Sequence, residues 1–183
     1  MSLVLAQAFG NGILDKDVHS RLVQNLPHYC ERAGVSDIHI ASRMSQFGCS
    51  VDEIEYVKSI KRRPAVNQFG LVYGDTTALT RMQAVAGACV RNFVDAKVMT
   101  LAQIFASIKE FGEPEATVLC IPDFYAGTHK TPEWRVQELL GLLYARKARS
   151  QQTFVFVSNA DDLRTAYGDP VADHVKKFFK SVG

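Results

Sequence analysis

The stretch Phe69 to Val94, FGLVYGDTTALTRMQAVAGACVRNFV, holds the residues best placed to do chemistry. A short apolar run leads to Gly74, then a Thr-rich turn, then a segment of helical period. Strand, Gly turn and helix in that order form the scaffold on which G-x-x-x-x-G-K-[ST] places a nucleotide's phosphates. Counting from Gly74, the second Gly position is Leu79, the Lys position is Thr80 and the Ser/Thr position is Arg81. Leu79 adds a side chain where backbone amides should meet phosphate. Thr80 carries no charge, and Arg81 is a poor magnesium ligand. Gly74, Thr76 and Thr77 remain able to hold an anion at the helix N-terminus. The simpler reading is that Thr76, Thr77 and Thr80 cap the helix.

The elements that must position these residues are regular from Phe69 onward. A strand over 69–73 precedes a helix from Leu79 to Asp95, with Met82, Val85, Ala86, Cys89 and Phe93 on one face. Lys97 to Thr100 reads as a strand, Leu101 to Glu110 as a helix, and Ala116 to Ile121 as a strand buried on both faces. Pro132 to Arg149 reads as a helix with Pro132 at its first position, on a stripe of Val136, Leu139, Leu140, Leu143 and Tyr144. Thr153 to Val157 is a further strand, and Asp161 to Tyr167 and Val171 to Phe179 are helices. Alternation of this kind implies βαβ units and a parallel three-layer α/β sheet.

Residues 1–65 read as a helical and extended N-terminal region preceding an α/β domain over 66–183. Asp15 to Leu26 is expected to be helical and closed by Pro27, while Cys30 to Gly48 shows no clean period. Ser50 to Ile60 is expected to be a helix with a Ser50–Glu53 capping box and a buried stripe of Ile54, Val57 and Ile60.

The 183 residues, 47% apolar and 22% charged, suit one soluble globular domain of ordinary size. A net charge of +2 does not by itself argue for nucleic-acid binding. Basic residues nevertheless cluster at 61–63 (with Arg62 and Arg63), at 145–149 (with Arg146, Lys147 and Arg149) and at 176–177. Cys30, Cys49, Cys89 and Cys120 stand singly, without zinc-site spacing, and suit a reducing compartment. His19, His28, His39 and His129 lack a metal-ligand spacing, and Trp134 is expected to pack in the core. The N-terminus lacks the basic and small-residue features of a signal peptide, and no apolar run is long enough to span a bilayer. A cytoplasmic location is expected.

From about Ala33 to Phe179 the chain resembles the AAA+ helicase-loader family, the DnaC/IstB-like P-loop ATPases. The stretches that carry the resemblance are GLVYGDTTALTRMQAVAGACV, KVMTLAQIFASIKEF, TVLCIPDFY, TPEWRVQELLGLLYARKARS, TFVFVSNADDL and LRTAYGDPVADHVKKF, in the family's order. The resemblance implies a P-loop NTPase-like (AAA+/ASCE) sheet flanked by helices, with degenerate Walker A, Walker B and arginine-finger motifs. At Walker B, Pro122 replaces the magnesium-organising acid and Asp123, at the strand's end, is the remaining candidate. Asn159 occupies the position of the family's polar sensor near the γ-phosphate. Pro170 and His174 stand where the family places arginines that reach a neighbouring subunit's nucleotide, and Arg164 is out of register. The resemblance thus implies a non-hydrolysing helicase-loader-like protein, with ATP and magnesium doubtful as ligands. The implied partners are a replicative helicase or another AAA+ subunit, with single-stranded DNA as a further one; the candidate contacts for DNA or a partner are Arg62, Arg63, Arg146, Lys147, Arg149 and His174. Oligomerisation fits the same resemblance. A regulatory or scaffold subunit of another machine and an ATP-binding protein with an altered pocket are the alternatives.

Overall fold

The computed structural model describes residues 3–127 and 132–182; His129 lies outside them. Among the described residues the sheet comprises β1 (Gly70–Tyr73), β2 (Ala96–Val98), β3 (Val118–Tyr125), β4 (Gln152–Val157) and β5 (Phe179–Val182). The strand order is β2-β3-β4-β1-β5, and every neighbouring pair is parallel. Register places Tyr73 level with Phe156 of β4 and Val182 of β5, so the β1 strand ends between them.

Helices cover both faces, giving the expected three-layer α/β arrangement. On one face lies α6 (Ala78–Arg91); on the other pack α7 (Leu101–Phe111), α8 (Glu133–Ala148) and α9 (Leu163–Phe178). The run VLCI in β3 serves both layers: Val118 and Cys120 join the α6 core, and Leu119 and Ile121 join the other. Alternation of side chains across a pleated strand makes a continuous apolar run necessary there.

The boundaries differ from expectation at several points. β3 does not stop at Ile121 but continues through Pro122 and Asp123 to Tyr125, with its register against β4 broken between Ile121 and Tyr125. Proline is tolerated where the ladder is already interrupted. The last helix ends at Phe178, and Phe179 turns extended (φ −111°, ψ 145°) to begin β5 on the edge of β1. No periodic signal announces so short a strand; the unpaired backbone of β1 recruits it. Gly168 (φ 77°) breaks α9 into the two helices expected there. Trp134 is 58% exposed and Phe93 62% exposed, so neither takes the packed position expected of it.

The N-terminal residues form α1 (Leu3–Gly10), α2 (Ser20–Gln24), α3 (Leu26–Ala33), α4 (Asp37–Ala41) and α5 (Val51–Lys58), with 3-10 turns over Met44–Phe47 and Ile60–Val66. Pro27 does not close a helix. It sits in the first turn of α3, where a missing N–H costs nothing. Met44, Cys49, Tyr56 and Ile60 share one apolar core with Leu71, Tyr73 and Met82. In α5 the fully buried side chains are Glu53 and Tyr56, whereas Ile54 and Val57 are only half-buried. No helix among the described residues is long and apolar enough to cross a membrane.

Candidate functional site

β1 delivers Gly74 to the C-terminal edge of the sheet, beside the ends of β4 and β5. Helix α6 begins at Ala78, so Leu79 and Thr80 already lie within its first turn. The turn between is closed by its own carboxylate. Asp75 Oδ1 accepts the Thr77 amide at 2.8 Å and the Thr77 hydroxyl as well, and the Ala78 amide donates to the Asp75 carbonyl at 3.2 Å. Asp75 therefore closes the turn before the helix, whose N-cap residue, Thr77, makes no side-chain capping bond; Thr76, Thr77 and Thr80 are exposed. Hydrogen bonding from the Thr77 hydroxyl, then from its amide and from Arg81, holds the Asp75 carboxyl below the ordinary carboxylate range despite partial burial.

Arg81 links this turn to the N-terminal helices. It is 3% exposed, and its Nη1 donates to Asp75 Oδ2 at 2.5 Å. Nε donates to Glu53 at 3.0 Å and Nη2 at 2.6 Å, a two-pronged pair with a carboxylate that is itself fully buried. Burial disfavours the guanidinium charge, but the Glu53 hydrogen bonds and the Asp75 charge outweigh it, and the pKa rises. The Tyr73 ring lies beneath the guanidinium, 4.9 Å from its carbon to the ring centre. Glu53 also accepts the Ser50 amide at 2.7 Å, so the capping-box glutamate of α5 and the partner of Arg81 are one group. The ring of contacts is completed by Cys49, whose buried thiol is pushed up to about 12 chiefly by desolvation. The sequence carried a signal for this pair. Arg81 falls between Ala78, Met82 and Val85 on the apolar stripe of α6, and a charge on a buried stripe demands a carboxylate partner.

The other sequence candidates are dispersed. Asp123 is not at the end of β3 but within it, and its Oδ1 accepts the Leu101 amide at 2.8 Å, beside the Thr100 cap of α7. Asn159 donates to Asp162 at 2.8 Å and accepts the Asp161 amide at 3.0 Å, an arrangement that organises the start of α9. Arg146 is fully buried, which removes it as a surface contact for DNA or a partner. It donates to Thr153 Oγ1, to the Pro114, Ala116 and Gln152 carbonyls and to Gln151, and burial brings it down to about 10. His174 is also buried, among Tyr144, Phe178 and Phe179, and desolvation with the nearby Lys147 charge lowers it to about 4. Arg164, exposed, pairs with Asp169 and Asp173. Arg63 stacks on Tyr56 at 4.4 Å, Lys147 on Phe178 at 4.2 Å, and Arg149 pairs with Glu113 at 3.0 Å. Arg62 is exposed.

No protein-family description and no curated protein matches the chain by sequence. Solved structures do match its shape. The replication initiator DnaA, bound to AMPPCP and single-stranded DNA, superposes with a TM-score of 0.58 at 10% identity, over 76% of this chain and 49% of that one. The chain thus spans about half the length of that initiator. The DnaC helicase loader matches with a TM-score of 0.54 at 10% identity, over 81% of this chain and 100% of that one. DnaI matches with a TM-score of 0.54 at 11% identity, over 79% and 88%. At these identities the likeness is one of fold: a parallel α/β sheet flanked by helices, as in P-loop AAA+ loaders, with short helices at the N-terminus.

Proposed function

We propose that the chain is a helicase-loader-like protein that does not hydrolyse ATP. It acts as a protein-interaction or DNA-associated accessory factor in replication or mobile-element maintenance. The observation that carries this reading is the Asp75–Arg81–Glu53 network at the start of α6. In a working P-loop the helix N-terminus receives a phosphate and the Ser/Thr side chain receives magnesium. Here a carboxylate already accepts the Thr77 amide and the Arg81 guanidinium at the helix start, and that guanidinium, itself a cation, stands at the metal-ligand position. A magnesium nucleotide would meet an anion where its phosphate belongs and a positive charge where its metal belongs. The residues present do not fit that group, and no catalytic step is derived through it.

Binding is then the role left to the fold, with a replicative helicase or another AAA+ subunit as the natural class of partner. Single-stranded DNA is a further candidate through Trp134, which is exposed and has Arg135 over its ring at 5.0 Å. Thermal unfolding with ATP or ADP, with and without magnesium, tests the reading. No shift in melting temperature and no phosphate release are expected at millimolar nucleotide. Magnesium-dependent stabilisation together with turnover would replace it by an ATPase with an altered pocket.

A further inference from the structure

At the opposite end of α6 from the Gly74 turn, a groove of about 1000 Å³ opens between the Met44–Phe47 turn, α5, the Ile60–Val66 turn and the end of α6. Its walls are apolar, lined by the half-buried Ile54, Val57 and Val94 and by the edge of the buried Ile60. Its rim is basic: Arg43, Lys58, Lys61, Arg62 and Arg91 line it, and no carboxylate does so among the described residues. Arg91 is fixed there by donating to the Ile40 and Ser42 carbonyls at 2.6 and 2.7 Å. Lys58 is engaged outside the groove by Glu55, at 2.9 Å on an exposed surface where such a pair is worth little.

The groove explains an anomaly in α5. Ile54 and Val57 recur at the helical spacing of a buried stripe, yet they remain half-exposed because they form one wall of this space. An apolar stripe left open beside like charges that repel one another is stabilised by an occupant bringing apolar surface and negative charge together. Nucleic acid supplies the charge but relies on aromatic platforms for its bases, and no aromatic side chain lines the groove among the described residues. A small anion would leave the apolar wall uncovered.

We propose that this groove docks an acidic amphipathic helix of a protein partner, apolar residues at i, i+3 or i+4 and i+7 against Ile54, Val57 and Val94, flanking Asp or Glu against Arg43, Lys61 and Arg62. The site is separate from the Gly74 turn and stands whether or not nucleotide binds there.

Fluorescence anisotropy of the full chain with a labelled helical peptide, leucines at that spacing flanked by glutamates, tests the assignment. The same peptide with lysines for glutamates and an oligothymidylate serve as the other arms. Saturable binding of the acidic peptide is expected, weakened about tenfold or more in the doubly substituted Lys61→Glu/Arg62→Glu chain. The Val57→Glu chain should lose binding to a similar degree, with circular dichroism showing that each variant keeps its fold. Equal binding of the lysine peptide, displacement by the oligothymidylate, undiminished affinity in both variants, or no binding of the acidic peptide would each overturn it.

Discussion

Arg81 and Glu53 show how a single charge becomes the condition for its neighbour's burial. Removing one partner of a buried, hydrogen-bonded ion pair leaves the other uncompensated, which costs on the order of 3–5 kcal/mol. Arg81→Met is therefore expected to lower stability by about that amount. The Arg81→Met/Glu53→Gln double variant keeps the cap on Ser50 without a buried charge and should recover most of the loss. Urea unfolding of the two variants decides the matter; a double variant no more stable than the single one would refute the pairing. His174 acts in the opposite sense, as a group buried in its neutral form. Its imidazole titrates near 6.5 when unfolded and at about 4 when folded. Between those values the unfolded chain holds the extra proton, so stability is complete above about pH 6.5 and is lost as pH falls toward 4. Replacing His174 with Phe should flatten this part of the acid limb, and unfolding midpoints across the window measure it.

Among the elements, α6 is the one against which both the sheet and the N-terminal helices are built. Its contact with α4 is close enough that a Cβ at Gly87 would lie 2.4 Å from the His39 backbone. Backbone cannot yield as a flexible side chain tip can. Gly87→Ala is accordingly expected to destabilise the protein by about 1–3 kcal/mol, although alanine is the better helix former. Gly141 of α8, where an added Cβ meets nothing within 4 Å, provides the contrast: Gly141→Ala should be neutral or stabilising. Chemical denaturation of the pair checks the packing of α4 on α6, and equal effects would contradict it. The short Gly74–Thr77 turn belongs at this scale too. The resemblance to P-loop ATPases could be read from strand, glycine and helix in order, but not that Asp75 would close the turn. That outcome depends on Arg81, six positions on, having Glu53 behind it.

For the whole molecule, the shared core of Met44, Cys49, Tyr56 and Ile60 with Leu71, Tyr73 and Met82 couples residues 1–65 to the sheet. The Glu53–Arg81 pair crosses the same boundary at 2.6 Å. Apolar burial common to two regions makes their unfolding cooperative. Calorimetry is expected to record one transition, with Tyr56→Ala lowering it for the entire chain. Two separated transitions, of which only the first responds to Tyr56→Ala, would show that the regions fold independently.

Periodicity and composition alone determined the parallel α/β class, the order of the strands and helices from Phe69 to Val157, and the capping box at Ser50. Those features rest on local spacing, which every turn of helix or pleat of strand repeats. The tertiary structure decided what local spacing does not encode. It added β5 to the open edge of β1, took Pro27 into the first turn of α3, and placed Asp123 in a strand where it holds the first amide of α7. It also sent Arg146 and His174 into the interior while leaving Trp134, Ile54 and Val57 accessible. Above all it set Asp75 and Glu53 on either side of Arg81. A charge's partner is fixed by which surfaces meet, and residues 28 positions apart meet only once the chain has folded.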